Sequence, residues 1–488
     1  MKILICKGNQ MNKLTLNYIY NLVYQLLILI IPLVTMPYVS RVLGPGGIGI
    51  NAYSYSIVQF FILFAVLGIP LYGNRQIARI KHKGITKLSE EFWSIYLIQL
   101  FCSIFFSIIY IFFVHFYIKE NQFVFYIQWL MLFAAMIDVS WLFIGLEELK
   151  KAVTRNIIVR LSAVVLTFVF IKDKGDLALY VFIIAITNVL GQLIIWVQVF
   201  KYIKFVKVTL NKVSEHWRPV LVIFLPQFII QLYIIVDRII LGNFSTEAEV
   251  GFYDQAMKII KVTLSIVTGL STVMLPRIAA EYARGNSEKI IYYSNIVLRY
   301  VLLMTIPMSI GIATISTSFT SWFFGPGYGK VEILIIILSP IIIFIGLSNV
   351  FGMQILLPTN QNNKLTLSVS IGAIVSIFVN ILLVSSFASI GTAIATVSAE
   401  VTVAIIQLFF VSKYINLRNA LRYFIRYGAT SIIMGLSLIL LGRYFEGAFL
   451  TTLIQVIVGA IIYLSVLLLL KDELLLGFVY KIMKKKGE

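Results

Sequence analysis

The sequence predicts an all-α polytopic membrane protein of about fourteen transmembrane helices, built as two six-helix lobes related by a parallel repeat plus two C-terminal helices. Three observations lead there. The residues are 60% hydrophobic and only 12% charged, where a soluble globular chain carries about 25% charged residues. Apolar runs recur at lengths near the ~20 residues that cross a hydrocarbon core. The basic residues alternate from loop to loop instead of scattering.

The spans read 16–38, 50–73, 92–118, 123–145, 156–171, 177–200, 219–241, 251–275, 291–317, 331–357, 365–387, 390–411, 427–445 and 447–470. Sorting Lys and Arg by span end puts 29 on one set of ends and 6 on the other, namely Arg41, Lys119, Lys172, Lys174, Lys330 and Arg443. The richer set is expected to be cytoplasmic, so both termini lie inside. The first ten residues, MKILICKGNQ, show no signal-peptide pattern, and Met11 is a second plausible start. The outer loops are short and leave no room for an extracellular domain.

The organisation follows in order. Residues 1–215 form an N-terminal lobe of helices one to six. Residues 216–415 form a C-terminal lobe of helices seven to twelve. Residues 416–488 form two added helices and a basic cytoplasmic tail. The lobes share a signature: RVLGPGGIGINAY (41–53) follows the first span, and RIILGNFSTEAEVGFY (238–253) follows the seventh. Arg41 answers Arg238, Gly44 answers Gly242, Gly49 answers Gly251 and Tyr53 answers Tyr253. An offset of six spans keeps both copies in one membrane orientation, and transport sites in such repeats lie where the repeats meet. Pro32 and Pro37 in the first span, Pro226 in the seventh, Pro307 in the ninth and Pro340 in the tenth predict kinks or hinges.

Several function classes are excluded by composition. Cys6 and Cys102 are too few for a disulfide framework and are expected reduced. His82, His115 and His216 show no metal-ligand spacing, and no metal or cofactor is expected. The net charge of +19 reflects cytoplasmic loops and not nucleic-acid binding. There is no Walker motif and no catalytic constellation, so the chain is not expected to be an enzyme.

The chemistry is expected at charges inside spans. An unpaired Lys, Arg or Asp at a helix centre costs roughly 2.5–3.5 kcal/mol on translocon scales. Asp254, Lys258 and Lys261 lie at i, i+4, i+7 on one face of the eighth span. Gln227, Gln231 and Arg238 fall within about 40° on the seventh. Asn17, Asn21 and Gln25 repeat on the first, and Asn295 and Arg299 on the ninth. These stripes face inward, and a basic interior suits an anionic substrate. Arg41, Arg238, Lys258, Lys261 and Arg299 are the candidate substrate-binding residues. Asp237, Asp254, Asp138 and Glu400 are the candidate ion-coupling residues. Asp237 and Asp254 also stand where they would neutralise Arg238 and Lys258, and Arg41 stands where it would snorkel to the interface.

The chain resembles the bacterial polysaccharide repeat-unit flippases of the multidrug/oligosaccharidyl-lipid/polysaccharide exporter superfamily. RVLGPGGIGINAYSYS (41–56), DVSWLFIGLEELKKAVTRN (138–156) and VDRIILGNFSTEAEVGFYDQAMKI (236–259) carry the likeness, with GTAIATVSAE (391–400) in support. The resemblance implies a location in the bacterial cell membrane and a V-shaped bundle with a cationic lumen. It implies transfer of an undecaprenyl-diphosphate-linked oligosaccharide to the outer leaflet, with membrane lipids, a polysaccharide polymerase and chain-length machinery as partners. Coupling to a proton or sodium gradient is implied by analogy. A peptidoglycan-precursor flippase is the nearest alternative. A drug/cation antiporter and a membrane-embedded polymerase are more distant ones.

Overall fold

Gly44 divides the longest helix of the protein. Its φ of 70° interrupts α1 (Lys2–Val66), and a left-handed residue of this kind is tolerated by glycine and by few others. The computed structural model describes residues 2–271, 274–445 and 447–477. The side chains of Cys6, Asn17, Asn21, Gln25, Lys150 and Lys151 lie outside the described residues, as does the basic tail from residue 478.

The chain forms two compact units, Met1–Gly251 and Phe252–Glu488. In the first, α1 is followed by α2 (Ile69–Ile80), α3 (Ile85–Tyr117), α4 (Gln122–Met136) and α5 (Ser140–Gly145). Then come α6 (Leu149–Phe170), α7 (Leu177–Val199) and α8 (Leu210–Phe244). α8 packs on α1, α2 and α3, so the seventh predicted span is part of this unit. Two ends can be told apart. Tyr38 donates to the Ile171 carbonyl at 2.6 Å and Asn121 to Glu247 at 2.7 Å, which gathers the turns near residues 44, 121, 172 and 247. Trp93 donates to the Lys204 carbonyl at 3.0 Å and Lys81 pairs with Glu147 at 2.7 Å, gathering the other turns. The loops that the basic-residue count assigns to opposite sides therefore separate to opposite ends.

α9 (Glu247–Ser271) leads into the second unit, with α10 (Leu275–Ala283), α11 (Ser287–Phe324), α12 (Gly329–Leu338) and α13 (Ile341–Ser348). Pro340 separates α12 from α13, and a π-helical stretch, Asn349–Leu356, follows. The missing proline N–H accounts for the first break. α14 (Asn362–Phe387) and α15 (Ser389–Val411) approach closely because small residues line their contact. A Cβ on Gly372 would lie 2.2 Å from Val403, and one on Gly391 would lie 2.6 Å from the Leu383 carbonyl oxygen. Thr392 donates to Asn380 at 2.9 Å across the same seam. GTAIATVSAE is thus a packing motif. α16 (Leu417–Tyr444) and α17 (Phe449–Leu469) complete the unit against α11.

Among the described residues, eleven helices are long and apolar enough to cross a membrane, or twelve if a bent pair counts as one. The expected fourteen is not reached by this measure, for two reasons. Ile30–Ile80 counts once although it is 51 residues long; a straight helix of that length would run about 75 Å, over twice a hydrocarbon core of about 30 Å. α9, with Asp254, Lys258 and Lys261 within two turns, is not among the eleven.

Candidate functional site

The α9 face keeps the pattern read from sequence. Lys258 Nζ lies 2.6 Å from the Asp254 carboxylate, which is buried, while the Lys258 side chain is 41% exposed. The pair joins positions one turn apart on one helical face. Lys261, one turn further along, is exposed. Tyr253 fixes the helix within its unit through a 2.9 Å hydrogen bond to Thr396 of α15, and Glu400 lies buried one turn further along α15. Asp254 and Lys258 are thus two candidate residues in direct contact.

In the first unit, α8 bends by 46° between Leu210–Leu232 and Ile234–Phe244. The bend falls about two turns after Pro226. Asp237, buried, and Arg238, half-buried, sit one turn beyond it. Arg238 also donates to the Ile234 carbonyl of its own helix at 3.3 Å. Gln227 is half-buried and Gln231 exposed on the approach to the bend, and Arg41 is exposed just before Gly44.

The two copies of the repeated turn meet inside this unit. A Cβ on Gly49 would lie 1.6 Å from the Glu247 carbonyl oxygen, and one on Gly251 would lie 2.1 Å from that of Pro45. Gly242 lies under the Tyr53 ring, whose hydroxyl donates to Asn243 at 2.9 Å. The glycines matched between copies therefore permit backbone-to-backbone approach.

Asp138 has a local task. Its carboxylate accepts the Ser140 backbone N–H at 2.8 Å and the Ser140 hydroxyl, at the start of α5. Arg155 in turn donates to that hydroxyl at 2.8 Å. Trp141 donates to Gln99 at 3.2 Å, and the Gln99 amide donates to the carbonyls of Ala135 and Asp138, each at 2.9 Å. Gly73 admits the Trp141 ring. The start of the 138–156 stretch, DVSWLFIGLE, is thus a polar knot joining α2, α3 and α5, closed by Glu147 on Lys81.

Arg299 lies in a cluster of acids. Its guanidinium bonds Asp472 at 3.0 Å, Glu473 at 3.1 Å and the Tyr427 hydroxyl at 3.2 Å, and stacks over Tyr423 at 4.6 Å. Asp472 is fully buried and also lies 3.8 Å from Arg426. Asn295, one turn earlier, accepts the Asn416 N–H at 3.1 Å. The polar stripe on α11 thus faces α16 and the segment after α17.

Sequence reasoning passed over a second cluster. His216, 3% exposed, lies between the Tyr72 hydroxyl at 2.7 Å and Glu91 at 3.2 Å, with Lys212 3.4 Å from the same carboxylate. It ties α8 to α2 and α3. His216→Ala removes a buried partner from the Tyr72 hydroxyl, a loss of about 1–3 kcal/mol where that group is left unsatisfied, while Glu91 keeps Lys212 and Gln76. A lower thermal midpoint of the purified protein is expected; an unchanged midpoint would show that water replaces the imidazole.

Comparison with known proteins then places the chain. Residues 14–281 match the family model described as polysaccharide biosynthesis protein. A putative O-antigen transporter of Escherichia coli (strain K12) is 27% identical over 407 residues, covering 82% of this chain and 97% of that protein. A solved structure of the lipid II flippase MurJ, in an inward closed conformation, superposes with a TM-score of 0.73 at 18% identity, covering 96% of this chain and 99% of that one. An inward-facing multidrug resistance MATE family transporter gives 0.59 at 13% identity, covering 80% and 96%. The all-helical, multi-pass architecture and the match over more than half of its length say the same thing: the chain belongs to the polysaccharide biosynthesis protein family and carries the fold of the multidrug/oligosaccharidyl-lipid/polysaccharide exporter superfamily.

Proposed function

We propose that this protein is a flippase that moves undecaprenyl-diphosphate-linked oligosaccharide repeat units from the cytoplasmic to the outer leaflet of the bacterial cell membrane for surface polysaccharide synthesis. It works by alternating access between its lobes, coupled to an ion gradient, with both termini cytoplasmic. Polymerase and chain-length proteins take the product onward. The observation that carries this reading is the α9 face, where Lys258 and Lys261 stand on a helix of a multi-pass membrane protein with Asp254 beside them. A diphosphate is the part of the substrate that loses most on leaving water, and ammonium groups along its path offset that loss. Arg41 and Arg238 belong to the same path in this reading. Asp237, Asp254 and Glu400 are its acids for ion coupling, while Asp138 acts through the α5 knot. The O-antigen transporter relative supports the substrate class.

The likeness to a lipid II flippase fold favours one rival, a peptidoglycan-precursor flippase, whose substrate would engage the same cations. Complementation separates the two: rescue of a strain lacking its O-antigen transporter is expected, and rescue only of a strain lacking its lipid II flippase would transfer the assignment. In the rescued strain, Lys261→Ala is expected to lose most surface polysaccharide while still inserting in the membrane, and Lys261→Arg to restore it. Wild-type polysaccharide in Lys261→Ala would remove this lysine from the path.

A further inference from the structure

We propose that the first unit carries a separate binding site for a lipid-linked saccharide, with an apolar groove for the chain and a polar cleft for the sugar head. The site rests on the flippase reading and adds a station to it.

Two adjoining cavities make the site. One, about 520 Å³, opens between α4 and α7 and is walled by Tyr126, Ile127, Trp129 and Phe182. The other, about 610 Å³, lies over the Gly44–Gly47 turn and is lined by Asn121, Lys174 and Glu247. Phe123 and Ala178 line both, so the apolar space runs into the polar one. A ligand that fills both must be apolar at one end and polar at the other. A detached sugar would leave the groove empty, and a hydrocarbon would leave the cleft unmatched.

The cleft also selects its head group. Glu247 and Asn121, hydrogen-bonded at 2.7 Å, present a carboxylate and an amide carbonyl, which accept from hydroxyls. Lys174 adds one ammonium, enough for a linking phosphate. A head that was only phosphate would meet the Glu247 carboxylate as a like charge. Gly46 and Gly175 have no atom within 4 Å of where a Cβ would stand, so backbone is open to a flat sugar face. Phe123, 68% exposed, supplies an aromatic surface at the junction. The mixture of acceptors, one cation, bare backbone and an aromatic ring fits a polyhydroxylated head on a phosphate-linked chain.

The test uses the full-length protein in nanodiscs, with native mass spectrometry reading bound lipid. The probes are undecaprenyl diphosphate carrying one N-acetylhexosamine, undecaprenyl diphosphate alone, and phosphatidylglycerol. Wild type is expected to prefer the sugar-bearing lipid. Glu247→Gln is expected to weaken that lipid about tenfold, the loss of one charged hydrogen bond, and to bind the sugar-free lipid more tightly, because the like charge facing its phosphates is gone. Ala178→Trp, which fills the shared wall, is expected to weaken both prenyl lipids. Equal binding of all three probes, or wild-type binding by both variants, would overturn the site. Flipping of the sugar-bearing lipid in proteoliposomes is read in parallel. Wild-type flipping with unaltered binding in the variants removes the site alone; a wild type that neither binds nor flips the lipid removes the flippase reading as well.

Discussion

Gly49→Ala and Gly251→Ala are each expected to prevent the protein from accumulating in a folded form, while Gly46→Ala is tolerated. A Cβ at Gly49 would stand 1.6 Å from the Glu247 carbonyl oxygen, and at Gly251 2.1 Å from the Pro45 carbonyl oxygen. Overpacking a core costs about 1–3 kcal/mol when side chains can shift. Here the obstacle is backbone, so relief requires moving the Gly44–Gly49 turn away from the start of α9. The cost therefore lies at or beyond the upper end of that range, a large part of a typical 5–15 kcal/mol stability. At Gly46 nothing lies within 4 Å of the added methyl, and a helical Gly→Ala gains up to about 1 kcal/mol. Detergent-solubilised yield and thermal midpoint check all three. Normal yield in Gly49→Ala would mean that the two turns are not in contact in the folded protein.

Those glycines show what sequence can and cannot supply. Their match between the two copies of the turn is visible as a spacing, because each copy must make the same tight connection. That they press on one another is not visible, since the contact joins segments about two hundred residues apart. The same limit applies to the charges. Asp254 and Lys258 are neighbours on one helix, so a local rule finds the pair. Arg299 has no acid within a turn or two on its own helix, Glu288 being eleven residues back, and its partner Asp472 lies 173 residues further on. The acid after α17 falls in a stretch that reads only as the start of a basic tail. Asp138 was legible as an unusual acid near a span, but its turn geometry around Ser140 depends on where α4 stops. His216 carries no motif because Tyr72 and Glu91 come from two other helices. Proline marks the break at Pro340, whereas the bend in α8 falls past Pro226 and beside Asp237 and Arg238, a position no proline rule supplies.

Asp472→Ala and Arg299→Ala are expected to destabilise the second unit by about 3–5 kcal/mol each, the usual cost of removing one partner of a buried ion pair. Asp472 is fully buried and the Arg299 side chain is 12% exposed, so water replaces little of what is lost. Arg299 keeps Glu473 in the first variant, but that carboxylate is largely exposed and a weak substitute. Surface polysaccharide falls in both variants through loss of folded protein. A thermal midpoint unchanged in Arg299→Ala, with polysaccharide lost, would instead place this arginine on the substrate path. Acid titration gives an independent reading. Burial alone would raise the Asp472 carboxyl, but Arg299, the Leu475 N–H and Tyr427 outweigh it and hold the group below the usual carboxylate range. The folded carboxyl therefore binds its proton less readily than the unfolded one, whose pKa is about 3.9. Stabilisation from this group is complete above that value and is lost as pH falls through the lower folded value. Wild type should lose midpoint more steeply than Asp472→Asn as pH falls from about 5 to about 3, because the amide has no proton to gain. Parallel curves for the two proteins over that window would show that the clasp around Arg299 holds no ionised Asp472.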